Sequence, residues 1–176
     1  MIVEKVVSYL EMTSPEHLVP GREPPTRLLF DPAESREQLV RETHLRVGTP
    51  HHWGSVLWTD QQWAAQVALP HQHHWVVRVD GEVAGLTSMV AEPGGDVQIM
   101  VFGLVPEWVG RGYGGAALTE AVRLAWQVPP VDAAHVSRVH LDTMSLDHPH
   151  ALPNYLARGF RIYRTERTTK EIASPS

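Results

Sequence analysis

Leu104-Val105-Pro106-Glu107-Trp108-Val109-Gly110-Arg111-Gly112-Tyr113-Gly114-Gly115-Ala116 is the most informative segment of this chain. Before it runs a β-type segment, Val97 to Leu104. After it, Leu118, Ala121, Val122, Ala125 and Trp126 recur at helical spacing, predicting a helix from about Gly112 to Trp126. The stretch is therefore a strand-to-helix turn, with glycine at positions 110, 112, 114 and 115. Glycine lets backbone amides approach a ligand closely and adopt positive φ. The first amides of a helix lack intrahelical partners and carry the positive end of its dipole. Together these features predict a cradle for a pyrophosphate, with Arg111 as an added cation.

Working outward, Asp80-Gly81 separates Trp75–Val79 from Val83–Thr87, a strong hairpin signal, and Glu92-Pro93-Gly94-Gly95 turns the chain into the Val97–Leu104 strand. Three antiparallel strands are expected at mid-chain. Ser137–Thr143 alternates as a strand. The strand–helix–strand unit from Val97 to Thr143 must then be a crossover between parallel strands. Upstream lie a strand near Val3–Met12 and a Pro-rich loop, Val19–Thr26. Asp31-Pro32-Ala33-Glu34 reads as the start of a helix reaching about Val47, and Thr59-Asp60-Gln61-Gln62 as the start of another reaching about Leu69. Downstream, Pro149–Arg158 reads as a short helix and Phe160–Thr169 as a last strand. One domain covering residues 1–176 is expected: a mixed, mostly antiparallel α/β (α+β) sheet with helices on both faces.

Three phosphate ligands compete for the glycine turn. No Gly-Lys-Ser/Thr follows, which excludes a nucleotide P-loop. Gly110, Gly112 and Gly115 match a dinucleotide fingerprint, with Asp132 about 20 residues on. However, Val105–Val109 separate the strand from the glycines, and Asp132 lies in a loop, which argues against that reading. The third candidate fits throughout. Val105, Pro106, Gly110, Gly112 and Gly114 resemble motif A of the GCN5-related N-acetyltransferase (GNAT) superfamily, a strand followed by V-P-x-x-x-G-x-G-x-G and a helix. The run Pro149-His150-Ala151-Leu152-Pro153-Asn154-Tyr155-Leu156-Ala157-Arg158-Gly159-Phe160 is similar to the superfamily's P-x-A-L-x-x-Y-x-x-x-G-F signature. Val109 stands where the superfamily usually has Gln or Arg, and His148 where it often has Asn.

The resemblance implies acetyl-CoA as cosubstrate and a primary amine as acceptor; no motif identifies that acceptor, and a small-molecule amine is expected over a protein lysine only because it is the commoner case. It implies that the two parallel strands splay, and that the pantetheine arm lies in the gap against backbone groups of Leu104 and Val105, with an amide near Val105 stabilising the oxyanion. Val109, Gly110, Arg111, Gly112, Tyr113, Gly114, Gly115 and Ala116 would surround the pyrophosphate, and His148 would stand in for the missing Asn contact or cap the following helix. Tyr155 falls on the superfamily's tyrosine and becomes the candidate acid for the departing thiolate. The base is left open. Gln98 stands where related enzymes often place Glu and cannot take a proton. Asp96 shares its strand face, and His140 and Asp142 share one face of the later strand. Gln98 also keeps alive a non-catalytic, CoA-binding reading, with a dinucleotide-dependent oxidoreductase as a further rival.

Composition narrows the field. Net charge is -5, without the basic stripe of a nucleic-acid binder. Cysteine is absent, so no disulfide framework, thiolate metal site or cysteine nucleophile exists. No apolar run is long enough for a membrane span, and the N-terminus does not look like a signal peptide. A cytoplasmic monomer or homodimer is the expectation. His51-His52 and His71-Gln72-His73-His74 are dense, but they read as solvated or substrate-facing loop residues and not as a metal site.

Overall fold

The computed structural model describes residues 1–172. The chain opens with strand β1 (Ile2–Met12), crosses the Pro-rich loop and forms a short strand, β2 (Leu28–Pro32). The sequence signal at Asp31-Pro32 predicts a helix start; the structure makes it the end of a strand instead. Asp31 Oδ2 accepts from Arg78 Nε and Arg36 Nη1, both at 2.9 Å, so its carboxylate serves ion pairs and not a cap. Pro32 is tolerated because β2 is an edge strand. Helix α1 (Glu37–Gly48) begins five residues later than Pro32, with no side-chain cap. Helix α2 (Asp60–Val67) does start as its sequence predicts: the Thr59 hydroxyl accepts from the Gln62 amide and the Gln62 side chain accepts from the Thr59 amide.

Next comes the meander of β3 (Gln72–Val79), β4 (Glu82–Glu92) and β5 (Asp96–Leu104). Asp80 and Gly81 both have positive φ, 51° and 79°, as the tight hairpin requires. Helix α3 (Gly114–Gln127) crosses to β6 (Arg138–Met144), and α4 (Ala151–Ala157) leads to β7 (Arg161–Glu171). The seven strands are ordered β2-β3-β4-β5-β6-β1-β7. All neighbours are antiparallel except β5 and β6. The N-terminal strand is thus interior, wedged between β6 and β7.

Each sheet face carries helices. On one, Leu118, Ala121, Val122 and Ala125 of α3 pack on Leu10, Met89, Val97, Ile99 and Val139, with Phe160 closing the cluster. On the other, Val40 of α1 meets Val76 and Leu86, and Val47 meets Val79 and Ala84. Each fully buried Leu or Val contributes about 1.5–3 kcal/mol, so these stripes fix the layer order.

Two irregularities make room for a site. The parallel pair joins only Asp96 with Arg138, Val97 with Val139 and Gln98 with His140; beyond that point β5 and β6 part. On the other edge of β5 the register with β4 passes from Val101 to Ile99, leaving Met100 as a bulge. An extra residue bends its strand and sharpens the local twist. The bulge sits where the strands diverge.

Candidate active site

The segment that follows β5 is rigid for identifiable reasons. Val105 N–H donates to Ala84 O at 2.9 Å, extending the ladder one residue past the strand. Pro106–Trp108 then makes a 3-10 turn whose Trp108 is buried against Tyr113. Gly110 and Gly112 take φ of 76° and 89°, a left-handed region costly for other residues. Beyond Gly110 the space that a Cβ would enter is open.

α3 begins at Gly114 with no side-chain cap and no acidic residue in its first turn. The amides of Gly114, Gly115 and Ala116 precede its first internal bond, from Ala117 N–H to Tyr113 O, and have no intrahelical acceptor. Two arginines stand at this mouth. Arg158 lies across Gly115 so closely that a Cβ there would sit 2.6 Å from its guanidinium. Its Nη1 donates to Asn154 Oδ1 at 3.3 Å, and Asn154 Nδ2 in turn donates to Gly114 O at 3.1 Å. Arg158 Nε is buried with no partner among the described residues. Arg22 arrives on the Pro-rich loop, which is pinned where Gly21 N–H donates to Thr119 Oγ1 at 2.9 Å. Uncapped amides, an orphaned Nε–H and a second arginine suit an anionic ligand. The residues present therefore fit a pyrophosphate.

This mouth opens into a cleft of about 560 Å³ that runs between the parted strands. Ile99, Met100, Phe102 and Leu104 form one wall, Leu141 and Asp142 the facing one, and Tyr155 of α4 lies alongside. Ladder bonds alternate along an antiparallel strand. Because Val105 is committed to Ala84, the backbone groups of Leu104 and Phe102 face the other way, into the gap. The amide of Val105 itself is therefore committed, and the amide near it that faces the gap is that of Leu104.

The structure distributes the sequence-predicted residues unevenly. Leu104, Val109, Gly110, Gly112, Gly114, Gly115, His148 and Tyr155 line the cleft. Arg111 does not. Its guanidinium sits 3.9 Å over the Trp108 ring and donates to Glu107 O, because an exposed cation gains more from a nearby aromatic face than from open water. Tyr113 is buried, with its hydroxyl 2.7 Å from Thr26 Oγ1, and holds the loop that carries Arg22. Ala116 is the third residue of α3; it is not part of the cleft lining, and what it offers the mouth is its free amide. Asp96 and Gln98 also lie outside the cleft, because they occupy the zipped end of the parallel pair. Asp96 is bound to Arg138 at 3.0 Å, and His140 to Glu92 at 2.5 Å.

Asp142, two residues beyond the last paired position of β6, is the carboxylate that the divergence delivers. Its side chain is open to the cleft, yet the protein around it removes part of its solvation and pushes its carboxyl up, with the neighbouring Asp147 adding to this. Asp147 itself is fixed by three donors, accepting from Trp53 Nε1 (2.8 Å), Thr143 Oγ1 (2.6 Å) and the Met144 amide (2.9 Å). Tyr155 is packed edge-on between Phe102 and Phe160, and burial, then Asp147 and Asp142, push its phenol up. His148 Nδ1 accepts from the His150 amide at 3.1 Å and its ring faces His51.

Sequence reasoning missed Arg22 and passed over Arg158. The second carried a signal: it falls four residues after Asn154, one helical turn on, within the motif already read for Tyr155. The histidines divide. His51 and His52 are in a turn, whereas His73 and His74 lie in β3, half-buried, and burial holds both imidazoles below their ordinary range.

The acetyltransferase (GNAT) family profile matches residues 37–160. No curated protein sequence matches. Among solved structures, a GCN5-related N-acetyltransferase from Kribbella flavida superposes with a TM-score of 0.62 at 15% identity, over 93% of this chain and 56% of that one. A GCN5-related N-acetyltransferase from Sphaerobacter thermophilus gives 0.62 at 16% identity, over 94% and 51%. The chain thus spans about half the length of these two structures.

Proposed function

The chain belongs to the acetyltransferase (GNAT) family, and from that premise we propose that it moves an acetyl group from acetyl-CoA to the nitrogen of a small-molecule amine by direct attack. One observation carries this reading: the parted β5 and β6 form a cleft with an uncapped helix mouth flanked by two arginines at one end and a carboxyl and a phenol further along. When bound, acetyl-CoA supplies the activated acyl group. The amides of Gly114, Gly115 and Ala116, with Arg22 and Arg158, hold its pyrophosphate. The exposed backbone edge of Phe102 and Leu104 takes the pantetheine arm as an added strand would be taken.

Fixing donor and acceptor side by side supplies much of the rate. A backbone N–H of the same edge faces the thioester oxygen as charge develops there. Tyr155 keeps its proton at neutral pH, because burial disfavours the phenolate, and gives it to the departing sulfur. Asp142 receives the proton that the acceptor ammonium must lose.

Titration calorimetry with acetyl-CoA, together with release of free thiol in the presence of amines, tests this. Micromolar binding with amine-dependent thiol release is expected. Binding without thiol release for any amine leaves a non-catalytic CoA-binding module, and no binding removes the assignment.

A further inference from the structure

A second pocket of about 350 Å³ adjoins the cleft on the α1 face of the sheet, and the two share Trp53, Met100, Asp142 and Asp147. Its wall is a chain of rings in edge contact. Trp58 meets Trp63 at 5.1 Å, Trp63 meets His44 at 4.9 Å, and His44 meets Trp53 at 5.3 Å. We propose that this pocket binds the acceptor and that the acceptor is a primary amine on a flat apolar body, an arylalkylamine, with its ammonium group at Asp142. This rests on the acetyl-transfer reading above and names the substrate class of the same site.

The polar groups of the pocket support that class. His44 Nε2 is paired with Ser55 Oγ at 2.6 Å and His74 Nδ1 with Ser88 Oγ at 2.7 Å. Burial depresses both imidazoles, so neither repels a cation. The charged side chains on the wall are Lys5, Asp142 and Asp147. Asp147 keeps its charge but is held in place by its three donors, which leaves Asp142 as the carboxylate free to meet an ammonium at the junction with the cleft. A polyamine would place its second ammonium beyond the two junction aspartates, among tryptophans, where the remaining charged side chain is the cation Lys5. An aromatic body matches the walls, where ring pairs gain about 0.5–1.5 kcal/mol beyond area burial.

The reaction balances. The ammonium passes one proton to Asp142, and from there to solvent. The free nitrogen bonds to the acetyl carbon, and the carbon–sulfur bond breaks with its electron pair on sulfur. Tyr155 protonates the sulfur, and the second nitrogen proton restores Tyr155.

The test uses the wild-type chain with acetyl-CoA and four acceptors: tryptamine, 2-phenylethylamine, spermidine and tryptophan. The aryl amines are expected to exceed the others at least tenfold in kcat/KM. Trp58→Ala should raise KM for tryptamine about tenfold, with Trp58→Phe restoring part of it and the calorimetric affinity for acetyl-CoA unchanged. Asp142→Asn should lower kcat at constant acetyl-CoA affinity. Preference for spermidine or tryptophan, indifference to Trp58→Ala, or no thiol release with either aryl amine overturns the inference, while intact acetyl-CoA binding leaves the donor site standing. Failure of the wild-type chain to bind acetyl-CoA overturns both.

Discussion

Arg111 and Arg158 separate what an arginine offers from what it does. Both lie in motif segments, yet one is spent on the Trp108 face and the other is held against the mouth of α3 by Asn154. Arg158→Ala should therefore weaken acetyl-CoA binding by about tenfold or more, since a hydrogen bond to a charged group contributes roughly 1.5–3 kcal/mol. Arg111→Ala should change that affinity less than threefold and cost about 0.5–1 kcal/mol of stability, the strength of an exposed cation–π contact. Calorimetry and urea denaturation of the two variants check both values, and equal affinity losses would contradict the placement of Arg111. Tyr155→Phe keeps the ring between Phe102 and Phe160 and removes only the proton. Turnover should fall roughly 10²-fold, within the usual range for acid catalysis, with acetyl-CoA affinity preserved. Unchanged turnover would remove the acid role. The glycine turn was legible at this scale because φ preferences are local. The destination of Arg111 was not, because a long flexible side chain is placed by whichever partner lies within its reach.

Among the elements, α1 carries a titratable group in its buried face. His44 is enclosed by Trp53 and Trp63, and burial, reinforced by His74, holds its imidazole at about 4. Its folded pKa is thus depressed from 6.5. Between those values the unfolded chain takes up a proton that the folded chain refuses, so stability is full above about pH 6.5 and falls as pH drops toward 4. The shift corresponds to about 3 kcal/mol across that window. Urea midpoints at pH 7.5 and 4.5 should show the loss, and His44→Gln should remove most of it; an identical slope in the variant would place the sensitivity elsewhere. Elements with strong local signals were readable, including the Asp80-Gly81 hairpin, the Thr59 capping box and the apolar stripe of α3. β2 was hidden because Asp31-Pro32 carries the chemistry of a helix start, and only pairing with β3 and the two arginines on Asp31 override it.

In the whole molecule, β1 joins β6 to β7 although it is first in the chain. Removing residues 1–12 would strip both strands of their shared partner and take Leu10 and Met12 from the main cluster. The truncated chain should lose cooperative unfolding in circular dichroism, because an unpaired interior edge exposes ladder groups and apolar surface together. A sharp melting transition in the truncated chain would contradict this.

The sequence by itself determined the crossover from Val97 to Thr143, the glycine-rich turn and the meander before it, because turn chemistry and hydrophobic period act over a few residues. Tertiary structure decided which carboxylate reaches the cleft. Asp96 and Asp142 are both strand residues of suitable chemistry, and no local property distinguishes them. The point at which β5 and β6 part does so; it lies beside the Met100 bulge and is decided by strand-pairing forces. Those forces act between segments distant in the chain.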